Sequence, residues 1–162
     1  MNKYQTILIV LSLMFHLGVS AHENSSNKEE GSNAVLDDVQ AVQYVLKKQF
    51  DKPNAPLKVM PVSVIENYAV TGWTQGNKGG RALLKKEHGK WSIQVCSGDG
   101  LTKVSTLEMT GMDRNAAIKL AKAVVAAEKD LPRATLNLFA SFEGIVKVNS
   151  ATQEGQTTSH NH

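Results

Sequence analysis

The chain has 162 residues, 41% of them hydrophobic and 20% charged, with a formal net charge of +3. That balance excludes a disordered polymer, and so small a charge gives no electrostatic reason to expect nucleic acid or an anionic membrane surface as partner. A single cysteine, Cys96, excludes any disulfide within the chain, so the fold rests on packing.

Residues 1–21 read as a cleavable export signal. Lys3 and the amino terminus supply positive charge, residues 7–19 are almost wholly apolar, and Val19-Ser20-Ala21 obeys the small-residue rule at a cleavage site. The apolar run is short for a bilayer span, which takes about 20 residues, so no stable membrane span is expected after cleavage. No cysteine follows the cleavage point, which excludes a lipid-anchored bacterial lipoprotein. Cleavage after Ala21 takes 21 residues from 162 and leaves 141, one ordinary domain, near +2 because Lys3 is lost. The expected product is periplasmic, with His22 as its new first residue.

Residues 22–33 are polar and predict a disordered lead-in to a single domain over 34–149. The domain opens with an amphipathic helix over 34–50, because Val35, Val39, Val42 and Leu46 fall on one face of a 3.6-residue period. Asp51-Lys52-Pro53-Asn54-Ala55-Pro56 stops it. Short strand candidates follow at Leu57 and Val59, then Val62 and Val64, with Pro61 between them predicting a bulge or an edge strand. Glu66-Asn67 reads as a turn and 68–75 as a strand rich in aromatic and β-branched residues. Residues 76–80 (G-N-K-G-G) read as a glycine-rich loop, 81–86 as a strand and 87–90 as its turn. Trp91, Ile93 and Val95 then alternate with Ser92, Gln94 and Cys96, the pattern of a half-buried strand.

After Ser97-Gly98-Asp99-Gly100 the spacing predicts a short helix over 101–109, a second over 114–130 capped by Asp113, and a third restarted by Pro132. Leu120, Val124 and Leu131 stripe the longest of these, widened by Ala117, Ala121 and Ala127. Residues 145–148 close the sheet as a last strand, and 150–162 form a disordered, histidine-containing tail. The expected fold class is α+β: an N-terminal helix, an antiparallel meander of three to four strands, helices packed on one sheet face and a final strand. A cystatin-like roll is one version of that layout.

No catalytic constellation emerges, and the chain is expected not to be an enzyme. Cys96 and His88 form the one Cys–His pair of the mature domain, but eight extended residues separate them by roughly 26 Å, beyond the reach of a thiolate–imidazole dyad. The Gly76–Arg81 run could cradle an anion with two cations, but it lacks the Walker pattern and reads more simply as a hairpin loop.

Metal ligands are better represented. An N-terminal His22 offers its amine and imidazole as a chelating pair suited to Cu(II), and His160-Asn161-His162 adds two imidazoles and a carboxylate. Cys96 with Met109 and Met112 would instead supply the soft donors that select Cu(I). The plainer alternatives are two soluble tails that happen to carry histidine, a small buried cysteine and methionines that fill the core.

Several runs resemble a known family: residues 50–57 (F-D-K-P-N-A-P-L), 69–76 (A-V-T-G-W-T-Q-G), 79–84 (G-G-R-A-L-L), 91–99 (W-S-I-Q-V-C-S-G-D) and 139–144 (F-A-S-F-E-G). Across residues 36–148 the chain is similar to the bacterial copper uptake system-associated proteins, small exported proteins named for that association. The resemblance implies periplasmic copper handling, with copper as cofactor or cargo and a copper-uptake receptor or periplasmic copper chaperone as partner. It assigns no ligand set. Two functions stay open: non-enzymatic copper binding or assistance to a copper importer, and a metal-independent periplasmic interaction module.

Overall fold

The computed structural model describes the backbone of residues 26–148 and the side chains of residues 37–148. In chain order the elements are α1 (Ser26–Phe50), β1 (Lys58–Ile65), β2 (Tyr68–Gln75), β3 (Lys78–Glu87), β4 (Lys90–Ser97), α2 (Val104–Met109), α3 (Arg114–Glu128), α4 (Arg133–Ala140) and β5 (Ile145–Lys147), with a 3₁₀ turn over Asp99–Thr102 before α2. The class is α+β, as the patterning implies. All strands are antiparallel and join one five-stranded sheet in the order β1-β2-β3-β4-β5.

The sheet carries a core on each face. On one, Val42 and Leu46 of α1 pack against Ala69, Ala82, Leu84, Trp91 and Ile93. On the other, Val70, Leu83 and Val95 meet Leu107, Ala117, Leu120 and Val124 from α2 and α3. The C-terminal helices occupy one face as expected, and α1 takes the other, so the sheet lies between two helical layers rather than under one. Physically, β2 and β3 are apolar at consecutive positions (Ala69-Val70 and Ala82-Leu83-Leu84), and such runs must be covered on both sides. α1 begins at Ser26 rather than at residue 34, so its first turns lie in the segment expected as lead-in. Lys28, Glu29 and Glu30 are good helix formers, and acids suit the positive end of a helix.

Local chemistry accounts for the other boundaries. Pro61 sits in an edge strand at a bulge, where two β1 residues face one of β2 between the Val59–Trp73 and Val62–Thr71 pairs. Asp113 caps α3 by accepting from the Asn115 and Ala116 amides, both at 2.9 Å. The glycine-rich loop is shorter than expected. Gln75 pairs with Lys78, so only Gly76 and Asn77 form the turn, and Gly79 and Gly80 are buried strand residues. They are small because α4 and the chain after it press on them: a Cβ on Gly79 would lie 2.9 Å from the Leu138 backbone, and one on Gly72 only 2.3 Å from Phe139 Cζ.

A second bulge, in β4, decides which residues meet. Leu83 pairs with Val95 but Leu84 with Ile93, leaving Gln94 as the extra residue. Trp91, Ile93 and Val95 are all buried, as their alternation predicts, but they do not share a face. Trp91 and Ile93 join the α1 core and Val95 the α3 core. The same shift turns Cys96 to the side of Trp91 and Ile93.

Candidate functional site

Among the described residues an apolar cleft of about 630 Å³ lies between the C-terminal half of α1 and the sheet. Val45, Leu46, Gln49 and Phe50 of α1 form one wall; Trp73, Trp91, Ile93 and Cys96 form the floor. Phe142, Val146 and Lys147 of β5 and Val148 just after it close the far side. Trp73 and Phe142 meet edge to face, centroids 6.0 Å apart and planes at 81°.

Polar clamps hold these walls in place. Gln75 Nε2 donates to the Phe50 and Ala55 carbonyls at 2.9 and 2.7 Å, tying the end of α1 to β2. Gln43 Nε2 donates to the Val59 carbonyl at 3.0 Å. Asp38 of α1 accepts from Lys86 Nζ at 2.7 Å and from the Trp91 indole N–H at 2.9 Å. Burial alone would raise the Asp38 carboxyl, but the bonds from Lys86 and Trp91 and the Lys86 charge outweigh it and hold the carboxyl below its ordinary value.

Cys96 is half-buried on the cleft floor, and burial pushes its thiol up to about 11. The thiol is therefore protonated at neutral pH and is a poor nucleophile and a poor metal ligand until a metal displaces the proton. Among the described residues no carboxylate, imidazole or thioether joins it in the lining. His88 lies in the β3–β4 turn, at φ 50° and exposed, at the opposite end of β4 from Cys96.

The other predicted ligands are separated. Met112 is buried in the α2–α3 core, across the sheet from the cleft, and Met109 is exposed at the end of α2. Cys96, Met109 and Met112 thus form no common site: the Gln94 bulge sends the thiol to one face while the helical layer draws Met112 to the other. His22, His160 and His162 lie outside the described residues. Among the described residues no three His, Cys, Asp or Glu side chains gather as a metal site would require.

The Gly76–Arg81 run forms the hairpin that its simpler reading predicts, not an anion cradle. Its backbone is β-strand from Lys78 onward, and Arg81 is buried and already paired. Arg81 Nε and Nη2 donate to the two Glu128 carboxylate oxygens at 2.8 and 2.7 Å, and Nη1 donates to Asp99 at 3.1 Å. The guanidinium carbon lies 5.3 Å from the centroid of the Phe139 ring. Burial opposes the Arg81 charge, but the Glu128 and Asp99 partners overcome it and raise its pKa.

Periodicity reasoning missed this pair and assigned Ala127 to the buried stripe of α3. Ala127 is exposed and Glu128 is buried. The signal was present: Ala117, Leu120, Ala121 and Val124 lead by helical spacing to position 128, and a charged residue on an apolar stripe calls for a buried partner.

Comparison with family models, with curated proteins and with solved structures returns no match. Among the described residues no helix is long and apolar enough to cross a membrane.

Proposed function

We propose that the chain is an exported, non-enzymatic periplasmic protein of copper uptake or homeostasis. One observation carries the reading: the runs that resemble the copper uptake system-associated proteins converge on the cleft. Phe50 and Leu57 come from the first run, Trp73 and Gln75 from the second, Trp91, Ser92, Ile93 and Cys96 from the fourth and Phe142 from the last. In the third run, Ala82 pairs directly with Cys96. Four of the five runs thus contribute to the concave surface, beside Val45, Leu46 and Gln49 of α1 and residues 146–148 from outside them.

In this reading His22, His160 and His162 capture Cu(II), and Cys96 is the thiol the folded domain offers to Cu(I). Calorimetry on the purified protein tests it. Copper is expected to bind with a dissociation constant below about 1 μM, a free energy of about −8 kcal/mol. Replacing His22, His160 and His162 by alanine abolishes the Cu(II) heat, and Cys96→Ser lowers Cu(I) affinity. Absence of binding at that strength overturns the proposal.

The apolar lining favours a second reading, a metal-independent interaction module. Capture of the same partner by wild type and by the variant lacking His22, Cys96, His160 and His162 would support it over the first.

A further inference from the structure

The small net charge of +3 conceals a segregation of charge that only the fold creates. Lys47, Lys48, Lys52, Lys58 and Lys78 are all exposed and make no ion pair among the described residues. Hydrogen bonds draw them to one end of the domain. The Lys52 carbonyl accepts from the Ala55 amide at 3.0 Å, and Gln75 Nε2 donates to the Phe50 and Ala55 carbonyls. Gln75 pairs with Lys78 across the β2–β3 turn, and Thr74 beside it pairs with Lys58. Lys58 and Lys78 thus flank β2, their backbones about 10 Å apart, and Lys47 and Lys48 occupy the last turn of α1 beside them.

Acids do not offset this cluster. Across residues 47–58 and 74–78 the one carboxylate is Asp51, which accepts from the Leu57 amide at 2.6 Å. Asp99 and Glu143 lie at the same end of the sheet but beyond β4, and Asp99 is held by Arg81. At the opposite end, by contrast, Lys85, Lys86 and Lys119 are paired with Glu87, Asp38 and Glu66. With spacings close to the Debye length, about 8 Å at physiological salt, the five charges sum to one positive field.

The residue types constrain the partner. Every cation of the two segments is a lysine, a point charge on a flexible stem. The forked guanidinium groups that hold carboxylates or phosphates in fixed register are missing from them. None of the five lysines lines the cleft, so the field faces outward. Such a surface suits anions that are numerous and mobile, as lipid headgroups are, better than a structured polyanion such as an acidic peptide. Tyr44 is 63% exposed, with Lys48 Nζ 5.9 Å from its ring centroid, and supplies an aromatic residue of the kind that settles at headgroup level.

We infer that this end of the domain, formed by the α1–β1 and β2–β3 connections, docks reversibly on an anionic phospholipid surface. The inference goes beyond the copper reading and does not depend on it, so a failed copper titration leaves it standing.

The full purified chain is sedimented with vesicles of equal parts phosphatidylglycerol and phosphatidylcholine, and with phosphatidylcholine alone, which accounts for any apolar insertion. In about 0.1 M salt the anionic vesicles are expected to bind at least about 100-fold more strongly, at roughly fivefold for each lysine that reaches the surface. Raising the salt to about 0.5 M should remove most of that preference. Glutamine at Lys47, Lys48, Lys52, Lys58 and Lys78 together is expected to cut anionic-vesicle affinity at least about 50-fold. Glutamine at the exposed Lys90, Lys103, Lys119, Lys122 and Lys147 changes the net charge equally and should cut it less than about fivefold. All ten side chains are exposed, so both variants should keep the circular dichroism of wild type. No preference for anionic vesicles, an equal loss in the two variants, or lysine-dependent binding of oligoglutamate in place of vesicles would each overturn the inference.

Discussion

Substituting Glu128 by alanine tests whether the Arg81–Glu128 pair is the electrostatic centre of the α3–sheet contact. Both partners are nearly inaccessible, 3% and 6% exposed. Their two hydrogen bonds, at 2.8 and 2.7 Å, are parallel and charge-assisted. Without Glu128 the guanidinium keeps only Asp99, whose side chain is 63% exposed. An exposed partner of that kind contributes about 0–1 kcal/mol, far short of the desolvation cost of a buried cation. Breaking a buried pair costs about 3–5 kcal/mol, which for a domain of this size lowers Tm by roughly 10–20 °C. Urea unfolding monitored by circular dichroism gives the free energy, and calorimetry the midpoint. Asp99→Asn should cost less than about 1 kcal/mol. The double variant Arg81→Met with Glu128→Leu should recover most of the loss, because an apolar pair of similar volume replaces a buried ion pair at little or no cost. A single Glu128→Ala variant losing under 1 kcal/mol, or a double variant as unstable as the single, would refute the reasoning.

Three further outcomes are expected. Gly72→Ala drives a methyl to 2.3 Å from Phe139 Cζ and 2.9 Å from the Met60 carbonyl, and should cost about 1–3 kcal/mol by urea unfolding, less in a Phe139→Leu background. Asp38→Asn should cost about 1–2 kcal/mol at pH 7 through its weakened bonds to Lys86 and Trp91. Because the folded Asp38 pKa is depressed, its contribution is complete above the unfolded value, about 3.9, and is lost as pH falls through the folded value; wild type and variant should converge on unfolding at low pH, and a gap that persists there contradicts the assignment. With its thiol near 11, Cys96 is about one part in a thousand thiolate at pH 8, so iodoacetamide should label it slowly at pH 8 and faster with each pH unit up to about 11; a plateau near pH 8.5 would show an unshifted thiol.

The element sequence was legible because it rests on local chemistry. The Pro61 interruption, the 68–75 strand, the Asp113 cap and the restart at Pro132 each follow from one residue's steric or hydrogen-bonding demand on its neighbours, and all appear. The candidate site was legible only in pieces. Cys96, Trp73 and Trp91 drew attention as residue types, but nothing local shows that they line one cleft with Phe142 and Val146.

Sequence alone therefore determined the fold class and the order of its elements. Tertiary structure decided which face each side chain reached. A single extra residue in β4, Gln94, reverses the alternation after Ile93 and carries Cys96 away from Met112, because a strand's side-chain period is two and any odd insertion exchanges the faces beyond it. Glu128 was likewise decided at long range: its place on an apolar stripe makes sense only once β3 brings Arg81 beneath α3.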